Sequence, residues 1–366
     1  MGYSGVRGGQ EAIHAAERLA RRDRLGGSSR WLELDQITGR LGLAVDRVMG
    51  EAGLWAPELA ARAIRQSRGD LLEAAQLLRA HRSTLPRLAY SSPVPVAALR
   101  PVRRISPAYR NPPGGQIRGA THDYTPRILD LADEGTARVS APRPSRPATA
   151  GAPVTTGAPV TTAPDPGVPL VGPPPAGLLA DRRDPTDPEP FDITRAPSRP
   201  GVPRSARLTA MARAETGSLT HLWYLVTQTP RNAQPEIPLE LRRGHLPLRV
   251  EHPFTGSPVT VAGVRVSEAR TVRPDARPHP DGSRFDIGYG LCLGDNEAKA
   301  LAMAGLDLLV HRDKTTNRLE QRVLTALDGP ELAGYLEHLK LPHYVDFRSI
   351  VDRLRALQAP NPEESL

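Results

Sequence analysis

Two histidines flank a lysine and a proline in Glu337-His338-Leu339-Lys340-Leu341-Pro342-His343, and neutral imidazole nitrogen is a ligand that zinc accepts. On one uninterrupted helix a separation of five would turn the two rings to different faces, because neighbours on a face lie three or four apart. Pro342 disfavours helical geometry at Leu341, so the backbone bends here and both imidazoles can converge on one ion. The other reading is two unrelated, partly exposed histidines beside a helix end. The spacing is far looser than a HExxH pair and leaves both readings open.

The elements around this stretch follow from pattern. Asp328-Gly329-Pro330 reads as a helix start, with Leu332, Leu336 and Leu339 as its apolar stripe. Asp346 can cap a final helix whose expected buried face is Phe347, Ile350, Val351, Leu354 and Leu357.

Composition narrows the chemistry. The chain has 366 residues and one cysteine, Cys292. Intrachain disulfides are thereby excluded, as is any iron–sulfur or all-thiolate zinc site made by this chain alone. A zinc ion on His338 and His343 would need carboxylates, water or a second protein to complete it. No apolar run reaches the ~18–20 residues of a membrane span, and the N-terminus lacks the layout of a signal peptide. The expected location is the cytoplasm. The net charge is +8, which suits polyanionic partners. Only three of the 48 basic residues are lysines, however, a bias that reads as base composition, and aromatics are 4% of the chain. Stacking platforms for nucleic acid are therefore scarce, and direct nucleic-acid binding is not expected. Arginine forks for anionic small molecules remain open.

In chain order, residues 9–90 read as helical. A first amphipathic segment carries Ala12, Ile13, Ala16, Leu19 and Ala20. A second, starting at Asp35, holds Ile37, Leu41, Ala44, Val45, Val48 and Met49 on one stripe. Pro57 and Gly69 bracket a third helix, and Asp70 caps a fourth that Pro86 stops. Arg79, His81, Arg82 and Arg87 cluster at its end, as an anion site or as a solvated basic edge. Pro112-Pro113-Gly114-Gly115-Gln116 and Thr121-His122-Asp123-Tyr124-Thr125 can approach a phosphate or line a cleft, or be plain surface turns. Residues 142–203 hold 17 of the 39 prolines, and GAPVTT occurs twice in succession from Gly151. Such a segment buries too little apolar surface to offset its ordering entropy. It is read, over 138–207, as a mostly disordered insertion.

Beyond it come a short helix around Leu208–Ala214 and a candidate strand, Leu222–Thr227. A hairpin is expected to turn at Ala262-Gly263, and Phe285–Leu293 reads as a glycine-bearing strand. Asp295 is the expected N-cap of a helix running through Val310. The expected fold is therefore α+β. An N-terminal helical domain with a turn-rich transition (1–137) precedes a Pro-rich disordered insertion (138–207). A C-terminal domain (208–357) then holds an antiparallel or mixed sheet with covering helices, and 358–366 is a tail.

These stretches together resemble one family, the PhnI-type subunit of the bacterial carbon–phosphorus lyase core complex. The resemblance is carried by Gly5-Val6-Arg7-Gly8-Gly9, by Leu43-Ala44-Val45-Asp46-Arg47-Val48-Met49, and by the run from Leu77 to Leu88. It continues in Pro113-Gly114-Gly115-Gln116, in Gly288-Tyr289-Gly290-Leu291-Cys292-Leu293-Gly294 with Asn296-Glu297, and most specifically in the run from His338 to Phe347.

The resemblance implies a subunit that, with its partners, displaces adenine from ATP (or GTP) with methylphosphonate at ribose C1′. The product would be ribose 1-methylphosphonate 5-triphosphate, and a separate radical-SAM subunit carrying the iron–sulfur cluster would later break the C–P bond. It further implies zinc on His338 and His343, completed across the interface with that radical-SAM partner. Mg²⁺ would accompany the ATP. Lys340 becomes an expected anion contact, and Asp123 and Glu337 are available acids. Two departures stand out. Val226–Asn232 replaces a glycine-bearing Ser-Thr-Gln-Arg-Gly-Tyr-Gly-like stretch, which touches Thr229, and Ile287 stands where an arginine commonly precedes GYGL. The rival readings are a nucleosidase that uses water when partners are missing, and a zinc-pinned, non-catalytic scaffold of the complex.

Overall fold

The computed structural model describes residues 9–106, 177–180, 182, 190–228, 236–274, 282–312, 318–329 and 347–358, with isolated positions at 131, 133 and 135. Among them, ten helices and four strands form. The N-terminal helices are α1 (Gln10–Leu25), α2 (Leu34–Arg40), α3 (Gly42–Ala52), α4 (Pro57–Gln66) and α5 (Leu71–Ser83). Then follow β1 (Arg100–Ile105), α6 (Arg204–Arg213), α7 (Thr216–Thr227), β2 (Ile237–Glu251), β3 (Pro258–Pro274) and β4 (Phe285–Leu293). The chain continues with α8 (Glu297–Arg312), α9 (Arg318–Thr325) and α10 (Phe347–Gln358). The fold is α+β, as the sequence pattern indicates, and these elements belong to one compact unit built from Met1–Ser106 and Pro173–Leu366.

Local chemistry explains the helical part. Pro57 sits in the first turn of α4, where its missing N–H is not needed. After α4, Gly69 takes φ +92°, and the Asp70 carboxylate then accepts the N–H groups of Leu72 (3.0 Å) and Glu73 (3.2 Å), capping α5. Ile37, Val48, Met49, Ile64 and Leu78 close a core among α2–α5, with Ala60, Ala61 and Ala74 letting the helices approach. Each such large side chain contributes about 1.5–3 kcal/mol by leaving water.

The sheet is antiparallel throughout, in the order β1-β2-β3-β4. α8 lies on one face. It is buried nearly all round, from Lys299 to Val310, as a central helix must be. Gly288 and Gly290 on β4 make room for it: a Cβ on either would overlap a carbonyl oxygen of α8, that of Ala304 or of Ala300. Met303, Leu306 and Leu309 of α8 pack with Met211 of α6, Leu219 of α7, Ala269 of β3 and Cys292 of β4. On the opposite face, charges alternate across the register: Arg104 meets Glu240 at 2.6 Å and Arg242 meets Glu268 at 2.7 Å.

Several sequence expectations are corrected. The stripe starting at Asp35 is two helices, because the chain departs from helical geometry at Leu41 (φ −110°, ψ 36°). Leu222–Thr227 is the end of α7, not a strand. Its apolar run is too short to reveal its period, and the helix starts earlier, at the Glu215 carboxylate that accepts the N–H groups of Gly217 (2.8 Å) and Ser218 (2.6 Å). Ala262-Gly263 lies inside β3. The β2–β3 turn is instead at His252–Ser257, where Gly256 takes φ +66° and His252 N–H reaches the Ser257 carbonyl at 2.9 Å. Asp295 does not cap α8: the Asn296 carbonyl accepts the first bond, from Ala300, and the Asp295 carboxylate pairs with Arg243. The stripe of α10 is not buried, with Phe347 81% and Leu357 82% exposed, and α1 likewise buries nothing.

Part of the proline-rich span packs on the sheet edge. Leu179 bridges to Phe285, and the Arg182 guanidinium reaches the Ile287 carbonyl (2.8 Å) and Asp307 (3.2 Å). Arg204, opening α6, grips the same Asp307 at 2.6 and 3.0 Å.

Candidate functional site

His338, Lys340 and His343 lie outside the described residues, as do Glu337, Asp123, Thr229 and the Pro112–Gln116 turn. What is described is the frame on either side of the histidine stretch, from α9 to Gly329 and again from Phe347.

Elsewhere among the described residues, motifs far apart in sequence are joined. The Asp46 carboxylate of α3 accepts the backbone N–H of Asp295 (2.8 Å) and a guanidinium N–H of Arg265 (2.9 Å). The Asn296 side chain donates to the Leu293 carbonyl (2.7 Å) and the Asp46 carbonyl (3.3 Å). Ser267 completes the corner, its hydroxyl donating to the Gly294 carbonyl (2.9 Å) and accepting from Asn296 N–H (3.0 Å). Gly294 takes φ +81°, and a Cβ there would meet the Asp46 side chain at 2.6 Å. The stretches Leu43–Met49 and Gly288–Glu297 are therefore one structural joint.

Next to Asp46 on α3, Arg47 bonds Glu51 one turn on at 2.9 Å and pairs with Glu215. Glu51, fully buried, also accepts from the Thr216 N–H (3.0 Å) and hydroxyl (2.9 Å). The Lys299 ammonium, buried, donates to the Ala214 carbonyl at 2.7 Å, and burial pulls its pKa below the ordinary lysine value. Arg79 of α5 holds both oxygens of Asp328, at 2.5 and 2.6 Å, and the Glu51 carbonyl at 2.6 Å. Arg87 pairs with Asp192 at 2.6 Å. In the basic cluster at the end of α5, Arg79 and Arg87 are thus paired with carboxylates, which argues against a free anion site, while His81 and Arg87 stay exposed, as a solvated edge would have them. Sequence reasoning marked Asp46 and Arg79 as motif members but gave no hint of Arg265, Asp295 and Asp328, partners more than two hundred residues away.

Among the described residues, no group of three His, Cys, Asp or Glu side chains is placed to hold a metal. Cys292 is buried, and burial pushes its thiol up to about 11, so it offers no thiolate ligand near neutrality. Among the same residues, no helix is long and apolar enough to cross a membrane.

The family model for the bacterial phosphonate metabolism protein PhnI matches residues 2–361. The chain belongs to the PhnI family. Similar proteins include a putative C–P lyase subunit protein, HtxH, of Stutzerimonas stutzeri, 40% identical over 98% of this chain and 96% of that one. The alpha-D-ribose 1-methylphosphonate 5-triphosphate synthase subunits PhnI of Rhizobium meliloti and Escherichia coli are each 36% identical over 97% of this chain, covering 95% and 98% of their own lengths. Membership in the PhnI family fits the joint above, since two of the stretches that carried the resemblance meet there.

Proposed function

We propose that this chain is the synthase subunit that, within a multisubunit complex, loads methylphosphonate onto ATP or GTP. The observation that carries the reading is its near end-to-end similarity to two subunits named for that product. In the reaction, the bond from ribose C1′ to the purine nitrogen breaks and a bond from C1′ to a phosphonate oxygen forms. The purine leaves with a proton from a general acid. The ribosyl centre passes through an oxocarbenium-like state, as in glycoside cleavage. The triphosphate travels with Mg²⁺. In this reading His338 and His343 hold zinc that a radical-SAM partner completes, and Lys340 contacts an anionic substrate. The setting is the cytoplasm.

A scaffold reading has support of its own, since Asp46, Arg47, Arg79 and Lys299 are all committed to internal bonds. The test is adenine release from ATP, with and without methylphosphonate, by the chain alone and with its partner subunits. Release that needs both phosphonate and partners supports the synthase. Release by the chain alone, indifferent to phosphonate, supports a nucleosidase. His343→Ala then separates the rest: a scaffold loses zinc and assembly together, whereas a catalytic site loses turnover in an assembled complex.

A further inference from the structure

α10 is a helix without a support. It has 12 residues, none of them buried, and a helix of that length is marginal in water unless one face is packed. Phe347, Ile350, Leu354 and Leu357 are 81%, 45%, 53% and 82% exposed. Their alternating spacing of three and four puts them on one side of the helix, with Val351 beside them. The borders of this stripe are basic. At about 100° per residue, Arg353 lies along one margin, and Arg348 and Arg355 lie along the other. The one acid of the helix, Asp352, sits behind Arg348 and meets Arg355 at 3.7 Å, with both side chains exposed. Arg353 reaches Ser349 at 3.4 and 3.5 Å. Among the described residues, neither Arg353 nor Arg348 has a carboxylate partner.

These margins choose the occupant. A second copy of α10 would set arginine against arginine, like charges that oppose pairing. A groove with an apolar floor and acidic rims supplies what both the stripe and its margins lack, in the manner of an amphipathic helix laid in a groove. The place of α10 in the chain narrows the partner further. Four residue steps separate His343 from Phe347, so the two lie at most ~14 Å apart whatever the path between them. A protein that closes over His343 therefore stands within reach of the stripe as well.

We propose that the apolar stripe of α10 docks in a groove of the partner subunit that completes the zinc site, and that the rims of this groove carry aspartate or glutamate. The choice of that partner rests on the zinc reading proposed above; the uncovered stripe and its basic margins do not. The test is hydrogen–deuterium exchange, read by mass spectrometry on the full chain alone, with each partner subunit singly, and in the assembled complex. The α10 amides are expected to exchange fast in the chain alone and at least roughly tenfold more slowly with the subunit that retains zinc jointly with this chain. Leu354→Ser combined with Leu357→Ser, at positions exposed in the chain, is expected to abolish that protection and weaken assembly roughly tenfold or more. Arg348→Glu combined with Arg353→Glu is expected to weaken assembly too, and to make added salt strengthen it where salt weakens the parent. Slow exchange in the dilute chain alone would mean that the chain itself covers the stripe, and protection that grows with chain concentration would mean that a second copy does. Either result overturns the proposal, as does protection by a subunit that holds no zinc with this chain, or protection that the double serine variant keeps. The exchange needs no turnover. Unchanged α10 exchange beside normal phosphonate-dependent adenine release would remove the docking and leave the synthase reading intact.

Discussion

A single guanidinium nitrogen of Arg79 holds both carboxylate oxygens of Asp328, at 2.5 and 2.6 Å. The other terminal nitrogen holds the Glu51 carbonyl at 2.6 Å. The pair ties α5 to the chain ten residues before His338, and neither side chain is far into solvent, at 15% and 27% exposed. Arg79→Met leaves the carboxylate and the carbonyl without donors and is expected to cost about 2–3 kcal/mol. Arg79→Lys is expected to fall between the two, because one ammonium cannot reproduce the fork. Urea unfolding decides it: a loss in Arg79→Met below about 0.5 kcal/mol would show that the pair does not hold this corner.

Gly288 and Gly263 lie on adjacent strands of the sheet and make opposite expectations. Gly288→Ala drives a methyl into the Ala304 carbonyl and to 2.9 Å from Thr271 Oγ1, and should cost about 3 kcal/mol by forcing β4 from α8. A Cβ on Gly263 meets nothing nearer than the Leu246 carbonyl at 3.9 Å, so Gly263→Ala should stay within about 0.5 kcal/mol of the parent. Thermal melts of the two variants check the contrast.

Hydrogen bonds from Thr194 and Arg87 hold the Asp192 carboxyl well below its ordinary value, at about 2. In the unfolded chain such a carboxyl titrates near 3.9. Its contribution is therefore complete above roughly pH 4 and is lost as pH falls toward the folded value. Asp192→Asn should flatten that part of the acid limb, measured as urea midpoints between pH 5 and 2. An unchanged slope would mean the Asp192 carboxyl is not perturbed.

With its thiol pushed up to about 11 by burial, Cys292 should resist a disulfide reagent such as DTNB at pH 8 in the folded chain. One thiol should then react per chain on unfolding. Rapid labelling without denaturant would contradict its place under α8.

Sequence made the local signals readable. Pro57, Gly69 and Asp70 mark α4 and α5 because each acts on backbone within four residues of itself. Phe285–Leu293 reads as a strand for the same reason. Features set by distant partners stayed hidden. Ala262-Gly263 looks like a turn until β2 supplies a ladder through it, and Leu222–Thr227 looks extended until the Glu215 cap is seen. The stripes of α1 and α10 predicted burial, yet periodicity states only that a face is apolar, not that this chain covers it. At the joint, motif membership drew attention to Asp46 and Asn296, but only the folded backbone shows that one binds the other's corner.

β1 has consequences for how the chain emerges from the ribosome. Its partner β2 begins only at Ile237, so at ~5–20 residues per second the strand waits on the order of ten seconds with its backbone unpaired. A lone apolar strand in that interval would invite pairing with another nascent chain. Three of its six residues are arginine and a fourth is Pro101, a composition that repels a second copy and removes one donor. The same residues go on guarding an outer margin of the finished sheet, so one short sequence protects first the half-made protein and then the complete one.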